Sequence, residues 1–446
     1  MRARFALAAA VLALGGVPAH AAEQAATRID PAIAHAVGAV SPARLKADDL
    51  RLVAFGTRNT FSETSRPGRG VAAARAWLLE RLQAIAATTG GRMTVSVDSY
   101  IHHPDGKRVA RDVEIANVIA TLKGDEPGGR TYVMSAHYDS INSVNSDGVA
   151  DAPGADDNGS GTVAVLEAAR VMAGMRPRAT IVFAIFESEE QGLLGAEHFA
   201  QGLKASGVDV QGDVNNDIVG SSLGRGGEHD GSTVRIFSEA VAAGGDVARV
   251  NAIGNENDSP SRELSRYARG VGDAYVQGLR GDLVFRADRF LRGGDHEAFN
   301  AAGFAAIRFV EPFETYQHQH QTVREEGGVR YGDLPEHLDF DYLARVTRYN
   351  VAVLASLAMG PGRVDAKTET KELTNYTTLS WSAVPGTVAY EVVARRTTEA
   401  DWGRVLAQVA GTRVTLPYSK DNWLFGVRAV DGEGRRGVVA FPLPGR

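Results

Sequence analysis

The chain has no cysteine among its 446 residues. This absence excludes disulfide bonds, a thiolate nucleophile and zinc sites built on cysteine. A metal site must therefore use histidine and carboxylate ligands, and the sequence has only 11 histidines beside 54 aspartates and glutamates. If the protein works outside the cytoplasm, its fold is held by the hydrophobic core or by a bound metal rather than by disulfides.

The sequence also lacks an excess of positive charge and, beyond its N-terminus, a long apolar run. Its formal net charge is −6, from 48 basic and 54 acidic residues, whereas nucleic-acid-binding domains carry a basic face or stripe. No later segment has the roughly 18 consecutive apolar residues of a membrane-spanning helix. We therefore expect no nucleic-acid partner and no stable membrane span. The composition is globular and the oligomeric state is left open.

The first 21 residues have the pattern of a secretory signal peptide. Arg2 and Arg4 precede an apolar stretch over residues 5–14, and Ala19 and Ala21 form an A-x-A cleavage site. We expect this segment to be removed and the mature protein to be exported, either to the periplasm or into the medium. An uncleaved anchor or a disordered tail is the alternative interpretation.

Residues 22–360 alternate apolar strands with helices. Helices are predicted over residues 70–87, 160–173, 193–203, 261–279 and 343–359. Buried strands are predicted over residues 130–136, 179–186, 214–219 and 305–310. The alternation indicates an α/β fold with a mostly parallel central sheet flanked by helices. Ligands bind such sheets at the carboxyl ends of the strands.

Residues 361–446 change to short alternating runs separated by turns, which predicts a small all-β sandwich. This region resembles a fibronectin type III domain in the strand that ends at Trp381, in Tyr390 and in the run that begins at Phe425. The predicted organisation is thus a signal peptide at 1–21, an α/β domain at 22–360 and a β sandwich at 361–446.

Histidines and carboxylates follow the predicted strands where these end. His137 comes directly after one strand, and Asp139 could accept a hydrogen bond from its ring. Asp156 and Asp157 are adjacent in a Gly-rich loop, where two carboxylates repel each other unless a cation or a helix N-terminus compensates. Taken singly, these residues are equally compatible with a solvated histidine and a polar loop that caps a helix.

The next strands show the same pattern. Glu189 and Glu190 follow the apolar strand at 179–186, where two like charges are costly unless one binds a metal. Asp217 lies in a short strand, and His318 and His320 come soon after the strand at 305–310. A charged loop explains each of these separately. Together they place histidines and carboxylates where one cleft would gather them.

Five segments in this order resemble the dizinc aminopeptidase family, which includes bacterial leucyl aminopeptidases, glutamate carboxypeptidase II and glutaminyl cyclases. They read AHYDS, GADDNGSG, ESEEQGLLG, NNDIVG and QHQ. With the flanking helices, the resemblance covers roughly residues 45–360. It implies a zinc exopeptidase fold, two Zn²⁺ ions and a peptide substrate.

The resemblance also implies ligand roles. His137 and Asp217 would bind one zinc, Glu190 and His320 would bind the other, and Asp156 would bridge the two ions. Zinc accepts such a set of histidine nitrogens and carboxylate oxygens.

The same resemblance assigns two residues to catalysis. Glu189 would be the general base, and Asp139 would orient the ring of His137. His320 is favoured over His318 as the ligand, although the residue after His320 departs from the family pattern. Asp295 lies in a segment that resembles a family Ser-Asp-His segment, but a glycine replaces the serine and its role stays open.

The function that these features predict is that of an exported zinc exopeptidase that removes N-terminal residues from peptides. A carboxypeptidase or dipeptidase of the same family is the alternative, and a basic pocket formed from Arg262, Arg289 or Arg292 would mark it. A glutaminyl cyclase, or a non-catalytic binding protein that uses its β domain for adhesion, is a more remote alternative. The long segment 221–258 is expected to border the cleft.

Overall fold

The protein is described from a computed structural model that covers residues 22–23, 27–63, 65–126, 129–241 and 245–445. The predicted signal peptide at 1–21 lies outside the described residues. Within the described part of the chain, no helix combines the length and the apolar character that crossing a membrane requires.

Helices and strands alternate through the larger domain, and strands alone form the smaller one. The α-helices are α1 Pro31–Gly38, α2 Pro42–Val53, α3 Val71–Ala87, α4 Gly161–Met172, α5 Leu194–Ala205, α6 Val247–Ile253, α7 Pro260–Tyr275, α8 His296–Ala302 and α9 Phe340–Met359. The strands are β1 Ala22–Glu23, β2 Met93–His102, β3 Val113–Leu122, β4 Thr131–His137, β5 Thr180–Phe186, β6 Val210–Asn216, β7 Thr233–Ser238, β8 Arg280–Val284, β9 Ala306–Val310, β10 Arg324–Glu326, β11 Val329–Tyr331, β12 Ala366–Thr368, β13 Thr377–Trp381, β14 Thr387–Arg396, β15 Arg404–Val409, β16 Arg413–Leu416, β17 Trp423–Asp431 and β18 Leu443–Pro444.

An eight-stranded sheet forms the centre of the larger domain, in the order β2-β3-β5-β4-β6-β9-β7-β8. Its middle strands β5, β4, β6 and β9 are parallel. Antiparallel pairs β2–β3, β3–β5 and β7–β9 extend the sheet on both sides, so that the whole sheet is mixed. The predicted α/β fold with a parallel centre is confirmed, and the parallel strands bring their carboxyl ends to one edge.

Helices cover both faces of this sheet, as the continuous apolar strands predict. Met134 of β4 faces a core that includes side chains of α1, α2, α3, α4, α7 and α9. Its neighbour Val133 faces the opposite core, which includes side chains of α5 and α8. Because successive side chains of a strand point to opposite faces, one apolar strand serves both cores.

Two four-stranded sheets, β1-β15-β14-β17 and β16-β13-β12-β18, form the smaller domain. One core gathers apolar side chains of both sheets, among them Leu379 and Trp381 from one and Val392 and Val427 from the other, so the predicted β sandwich is confirmed. Strand Ala22–Glu23 pairs with β15 of this domain, although it comes from the opposite end of the sequence.

The sandwich is docked on α7 of the larger domain. The indole Nε1 of Trp402 donates a hydrogen bond to Glu263 over 2.7 Å, and Arg395 forms an ion pair with Asp258 at 2.6 Å. All four side chains are buried. The contact between the domains therefore includes ionisable groups that are shielded from water.

Candidate metal centre

Two groups of histidines and carboxylates meet at the carboxyl edge of the parallel strands. One consists of His137, Asp157 and Asp217, and the other of Asp157, Glu190 and His320. Within each group, one nitrogen or oxygen atom from every residue lies within 4.8 Å of the others. Asp157 belongs to both groups, so the five side chains form one continuous centre.

The fold explains how residues so distant in sequence converge. His137 is the last residue of β4, Asp217 follows β6 directly, and Glu190 comes four residues after the end of β5. These three strands are parallel neighbours, so their ends lie side by side. His320 follows β9 after a longer loop and has a left-handed backbone, with φ 55°.

The two oxygens of Asp157 face different histidines. Oδ1 lies 3.4 Å from Nε2 of His137, and Oδ2 lies 2.9 Å from Nε2 of His320. The same His320 nitrogen is 3.1 Å from Glu190 Oε1. This is the arrangement expected of a carboxylate that bridges two cations.

Several of these atoms have no hydrogen-bond partner among the described residues, although they are buried. They are Nε2 of His137, Oε1 of Glu190, Oδ1 of Asp217 and Nε2 of His320. Burying polar atoms without a partner is costly, and clustering carboxylates adds repulsion. Divalent cations would remove both costs, and the set of histidine nitrogens and carboxylate oxygens suits zinc. The residues present therefore fit the metal that the sequence predicts.

The prediction that Asp156 is the bridging carboxylate is not met by the geometry. The Asp156 side chain turns away from both groups, and its Oδ1 accepts a hydrogen bond from the backbone N–H of Gly220 at 2.8 Å. It also contacts the carboxyl of Glu311, and burial raises the pKa of Asp156 to about 6. The two adjacent aspartates point in different directions, and Asp157 is the one that faces the histidines.

Asp139 lies beside His137 as predicted, and it also organises the next loop. Its Oδ1 is 3.4 Å from Nδ1 of His137, while that nitrogen is 3.2 Å from the backbone oxygen of Asp139. The carboxylate accepts hydrogen bonds from the backbone N–H groups of Glu189 and Glu190, at 3.1 and 3.2 Å. One buried carboxylate thus connects the ends of β4 and β5.

Glu189 projects into the cleft rather than into either group. Its Oε2 lies 4.0 Å from His137 Nε2, and 13% of its side chain remains exposed. Burial raises the pKa of Glu189, and the neighbouring carboxylates of Glu190 and Asp217 act in the same direction. A carboxylate with a raised pKa that is open to the cleft is suited to accept a proton from a substrate or a water molecule.

The structure also separates the two candidate histidines. His318 stacks on His337 with ring centres 3.7 Å apart and joins neither group, whereas His320 joins the second. Asp295 is fully buried, and neither of its carboxylate oxygens has a hydrogen-bond partner among the described residues. Burial raises the pKa of Asp295 to about 8.

A cleft of about 520 Å³ opens onto this centre. One wall comes from residues 105–108 and another from residues 289–293, and Glu189 and His320 face the space between them. Arg289 and Arg292 line the cleft, but Arg262 does not: its guanidinium donates to the backbone oxygen of Phe285 instead. None of the lining residues comes from the segment 221–258, so the expectation that this segment borders the cleft is not met.

Sequence reasoning missed Arg308, which lies in the middle of β9. Its guanidinium is completely buried, 2.9 Å from Asp217 Oδ2 and 2.7 Å from Asp288 Oδ2. It therefore orients the Asp217 carboxylate. A single charged residue within the apolar strand Ala306–Val310 was the available signal, because a buried strand does not retain a charge without a partner.

Comparison with known proteins identifies the class to which this site belongs. The model of peptidase family M28 matches residues 117–326. A probable zinc metalloprotease of Pyricularia oryzae is 45% identical over 424 residues, covering 92% of this chain and 84% of the relative. Another, from Leptosphaeria maculans, is 44% identical over 412 residues, covering 91% and 95%. The protein is thus a zinc metallopeptidase, as the motifs predict.

The extent of these matches shows the family as well as the class. The chain belongs to peptidase family M28.

Solved structures share the fold at low sequence identity. The LapA aminopeptidase of Legionella pneumophila has a TM-score of 0.53 at 18% identity, covering 73% of this chain and 74% of that one. An aminopeptidase from Aneurinibacillus has a TM-score of 0.51 at 14% identity, covering 73% and 96%. A glutaminyl cyclase of Porphyromonas gingivalis has a TM-score of 0.50 at 17% identity, covering 71% and 98%. These likenesses show a common fold.

Proposed function

We propose that the protein is an exported exopeptidase that removes N-terminal residues from peptides and uses two zinc ions. His137, Asp157 and Asp217 would hold one ion, and Asp157, Glu190 and His320 would hold the other. The observation that carries this proposal is that the two oxygens of Asp157 face two different histidines, at 3.4 and 2.9 Å. A polar loop that only caps a helix does not require an aspartate between two histidine rings.

Zinc bound at these groups would lower the pKa of water toward neutrality and polarise the carbonyl of the scissile bond. Glu189 is suited to accept the proton of the attacking water and to return it to the leaving amine nitrogen, because its carboxylate faces the cleft and burial raises its pKa. Asp139 keeps His137 oriented, and Arg308 does the same for Asp217. Both supporting residues are fully buried, so each ligand is held in place before substrate arrives.

The cleft supports action at a chain end. Its volume of about 520 Å³ suits a short peptide segment, with walls on both sides of the centre. Aminopeptidases are among the solved structures that share this fold, which favours the N-terminal direction of cleavage.

Two arginines in the cleft favour a second candidate, a carboxypeptidase or dipeptidase. Arg292 shares Glu314 with Arg289 and Arg235, so that one carboxylate serves three guanidinium groups. The side chain of Arg292 is 31% exposed, which leaves it able to receive a carboxylate from a substrate. The fold of glutaminyl cyclases is similar, but no feature of this cleft favours cyclisation over hydrolysis. A binding protein without catalysis does not require buried histidine and carboxylate atoms that lack hydrogen-bond partners, such as those of His137 and Glu190.

A cleavage assay on full-length mature protein separates these functions. Each peptide is offered with a free or acetylated N-terminus and with a free or amidated C-terminus, with and without a chelator. We expect acetylation to abolish cleavage, amidation to leave it intact, and chelation to stop it. Loss of cleavage on amidation alone would instead establish a carboxypeptidase, and loss on either change would establish a dipeptidase.

Export and the identity of the small domain belong to the same proposal. N-terminal sequencing of protein recovered outside the cytoplasm should begin at Ala22, directly after the A-x-A site. A first residue at Met1 would contradict cleavage. We interpret the sandwich as a fibronectin type III-like domain on the basis of its two sheets and its Trp381 and Tyr390 core.

A further inference from the structure

The loop that carries Asp157 is held by two charged residues that lie far from it in sequence. Arg58 follows α2 near the beginning of the chain, and Asp333 lies between β11 and α9. Both are buried, and neither belongs to the segments that resemble the peptidase family's motifs. Their contacts converge on the backbone around Asp157.

Arg58 connects the loop after β4 with the loop before α4. Its Nε donates to the backbone oxygen of Tyr138 at 2.6 Å, next to His137. Its two terminal nitrogens donate to the backbone oxygens of Pro153 at 2.5 Å and Gly154 at 2.8 Å. One guanidinium thus fixes the distance between the segment that carries His137 and the segment that carries Asp157.

Asp333 holds the same loop from the other direction. Its Oδ1 accepts a hydrogen bond from the N–H of Asp156, and its Oδ2 accepts one from the N–H of Asp157, each at 2.8 Å. Because both oxygens are used, the two peptide planes cannot rotate independently. This contact fixes the backbone from which the side chains of Asp156 and Asp157 project.

The backbone at Gly154 is fitted to Arg58. Gly154 has φ 54°, and a Cβ atom there would lie 2.8 Å from Nη2 of Arg58 and 2.5 Å from Cβ of Ser140. A side chain would therefore push the guanidinium away from the loop. The close approach of the Arg58 guanidinium to this loop therefore requires glycine at position 154.

The side chain of Arg58 is fully buried, and within the described part of the chain its guanidinium donates to backbone oxygens rather than to a carboxylate. Asp49, Asp333 and Asp139 lie farther away and partly offset the cost of burying its charge. A buried charge without a close counter-ion is an expensive way to stabilise a fold. The N–H groups of its planar guanidinium donate instead to backbone carbonyl oxygens. The ammonium group of lysine cannot reproduce this fixed geometry.

We propose that Arg58 and Asp333 are positioning residues that set the separation of His137 and Asp157 and thereby keep the two metal-binding groups joined. The inference rests on the proposed two-zinc function. If it is correct, replacing either residue weakens zinc binding in addition to any change in the free energy of unfolding. Residues that support metal ligands typically change affinity by about 10–100-fold when they are replaced.

The test uses the full mature chain with R58K and D333N substitutions and measures zinc affinity by competition with a chromophoric chelator. Asparagine has only one acceptor oxygen, so D333N leaves one of the two N–H groups without a partner. We expect at least one of the two zinc ions to bind about 10-fold more weakly in each variant. The zinc concentration that gives half-maximal activity should rise in parallel, and excess zinc should restore turnover.

Matched controls come from an arginine and an aspartate that lie outside both metal-binding groups. R130K changes an arginine that is also buried and that donates to the backbone oxygen of Gly360, away from the centre. D339N changes a carboxylate that caps α9 by accepting the N–H groups of Asp341 and Tyr342. Both controls should keep the zinc affinity of the wild type even where they lower the melting temperature.

The outcomes separate this inference from the proposed function. Wild-type protein that binds two zinc ions, together with R58K and D333N variants of unchanged affinity, would overturn the inference alone. Wild-type protein that binds no zinc would overturn both. If R58K does not fold, D333N decides the question, because its change removes a single acceptor without altering the volume of the side chain.

Discussion

The metal centre and the contact between α7 and the β sandwich both bury charged side chains, but they satisfy them in different ways. At the domain contact, Glu263 binds Arg266 at 2.6 Å and Trp402 at 2.7 Å, while Arg395 binds Asp258 at 2.6 Å. Each of these side chains has at least one protein partner of complementary chemistry within hydrogen-bond distance, although Asp258 Oδ2, Arg266 Nη2 and Arg395 Nε have no hydrogen-bond partner among the described residues. Positive and negative groups of the chain itself are therefore paired in this region.

At the metal centre the corresponding atoms face one another without forming hydrogen bonds. Nε2 of His137 lies 3.4 Å from Asp157 and 3.6 Å from Asp217, and none of these contacts has hydrogen-bond geometry. Buried polar groups in folded proteins nearly always have partners. The difference teaches that burial of charge alone does not mark a functional site, whereas the convergence of several histidine and carboxylate ligand atoms without a paired arginine or lysine between them does.

The largest effect is expected from removing the carboxylate shared by the two groups. D157N should reduce bound zinc from the proposed two ions per chain to fewer than one and abolish peptide hydrolysis, because both groups lose a ligand. Metal analysis after dialysis measures this directly. D156N is the control, since its carboxylate bonds to Gly220 instead, and it should keep both ions. The reverse result would restore Asp156 as the bridge.

The next effect concerns Glu189, the proposed proton acceptor. E189Q should retain zinc but lower kcat by about 10²–10⁴-fold, the usual contribution of a general base. Steady-state kinetics at saturating peptide measure the loss, and metal analysis on the same sample shows that the centre is intact. E197Q, which changes another carboxylate lining the cleft, should stay within a few-fold of the wild type. Full activity of E189Q would remove Glu189 from the mechanism.

At the domain contact, breaking the ion pair between Arg395 and Asp258 should lower the free energy of unfolding and leave catalysis unchanged. R395M leaves the buried Asp258 with its more distant partner Arg266, at 3.5 Å, and should cost about 3–5 kcal/mol in the free energy of unfolding. Chemical denaturation of the zinc-loaded protein measures the cost, and kcat should not change. R404M removes a partly exposed arginine of the same domain and should leave the denaturation midpoint nearly unchanged. Equal effects of the two variants would contradict the comparison.

The last effect is a pH dependence at the same contact. Burial raises the pKa of Glu263 from its ordinary value of 4.5 to about 8, with repulsion from Asp258 adding to the rise and Arg266 opposing it. The folded chain therefore holds a proton that the unfolded chain releases, so this contribution to stability is lost as pH rises from about 4.5 to about 8. The melting temperature of E263Q should therefore fall less between pH 4.5 and pH 8 than that of the wild type. Parallel pH profiles would show that Glu263 does not titrate there.

The sequence predicted the parts of the fold that depend on local pattern. The helix predicted over 343–359 is Phe340–Met359, and the strand predicted over 179–186 is Thr180–Phe186. The antiparallel pairing at the two sides of the sheet was not predicted. Two of these pairs, β3 with β5 and β7 with β9, join strands that are not consecutive along the chain, and apolar periodicity carries no information about partners.

The sequence located the segments that form the candidate site, but it did not identify which of the two adjacent aspartates faces the histidines. The motifs located both aspartates of the Gly-rich loop, but local sequence does not say which one turns inward. The backbone of both aspartates is held by Asp333, which lies 176 residues beyond Asp157. Arg308 escaped prediction for the same reason, because its partner Asp217 is reached only when β6 and β9 pair.

The five side chains of the metal centre extend along the sequence from His137 to His320. In a chain without cysteine, an ion bound there acts as a reversible cross-link that closes long loops of the unfolded polymer. A ligand present at a thousand times its dissociation constant stabilises the folded state by about 4 kcal/mol. The supply of metal in the surroundings would therefore govern how long the protein resists proteases, in addition to how fast it works.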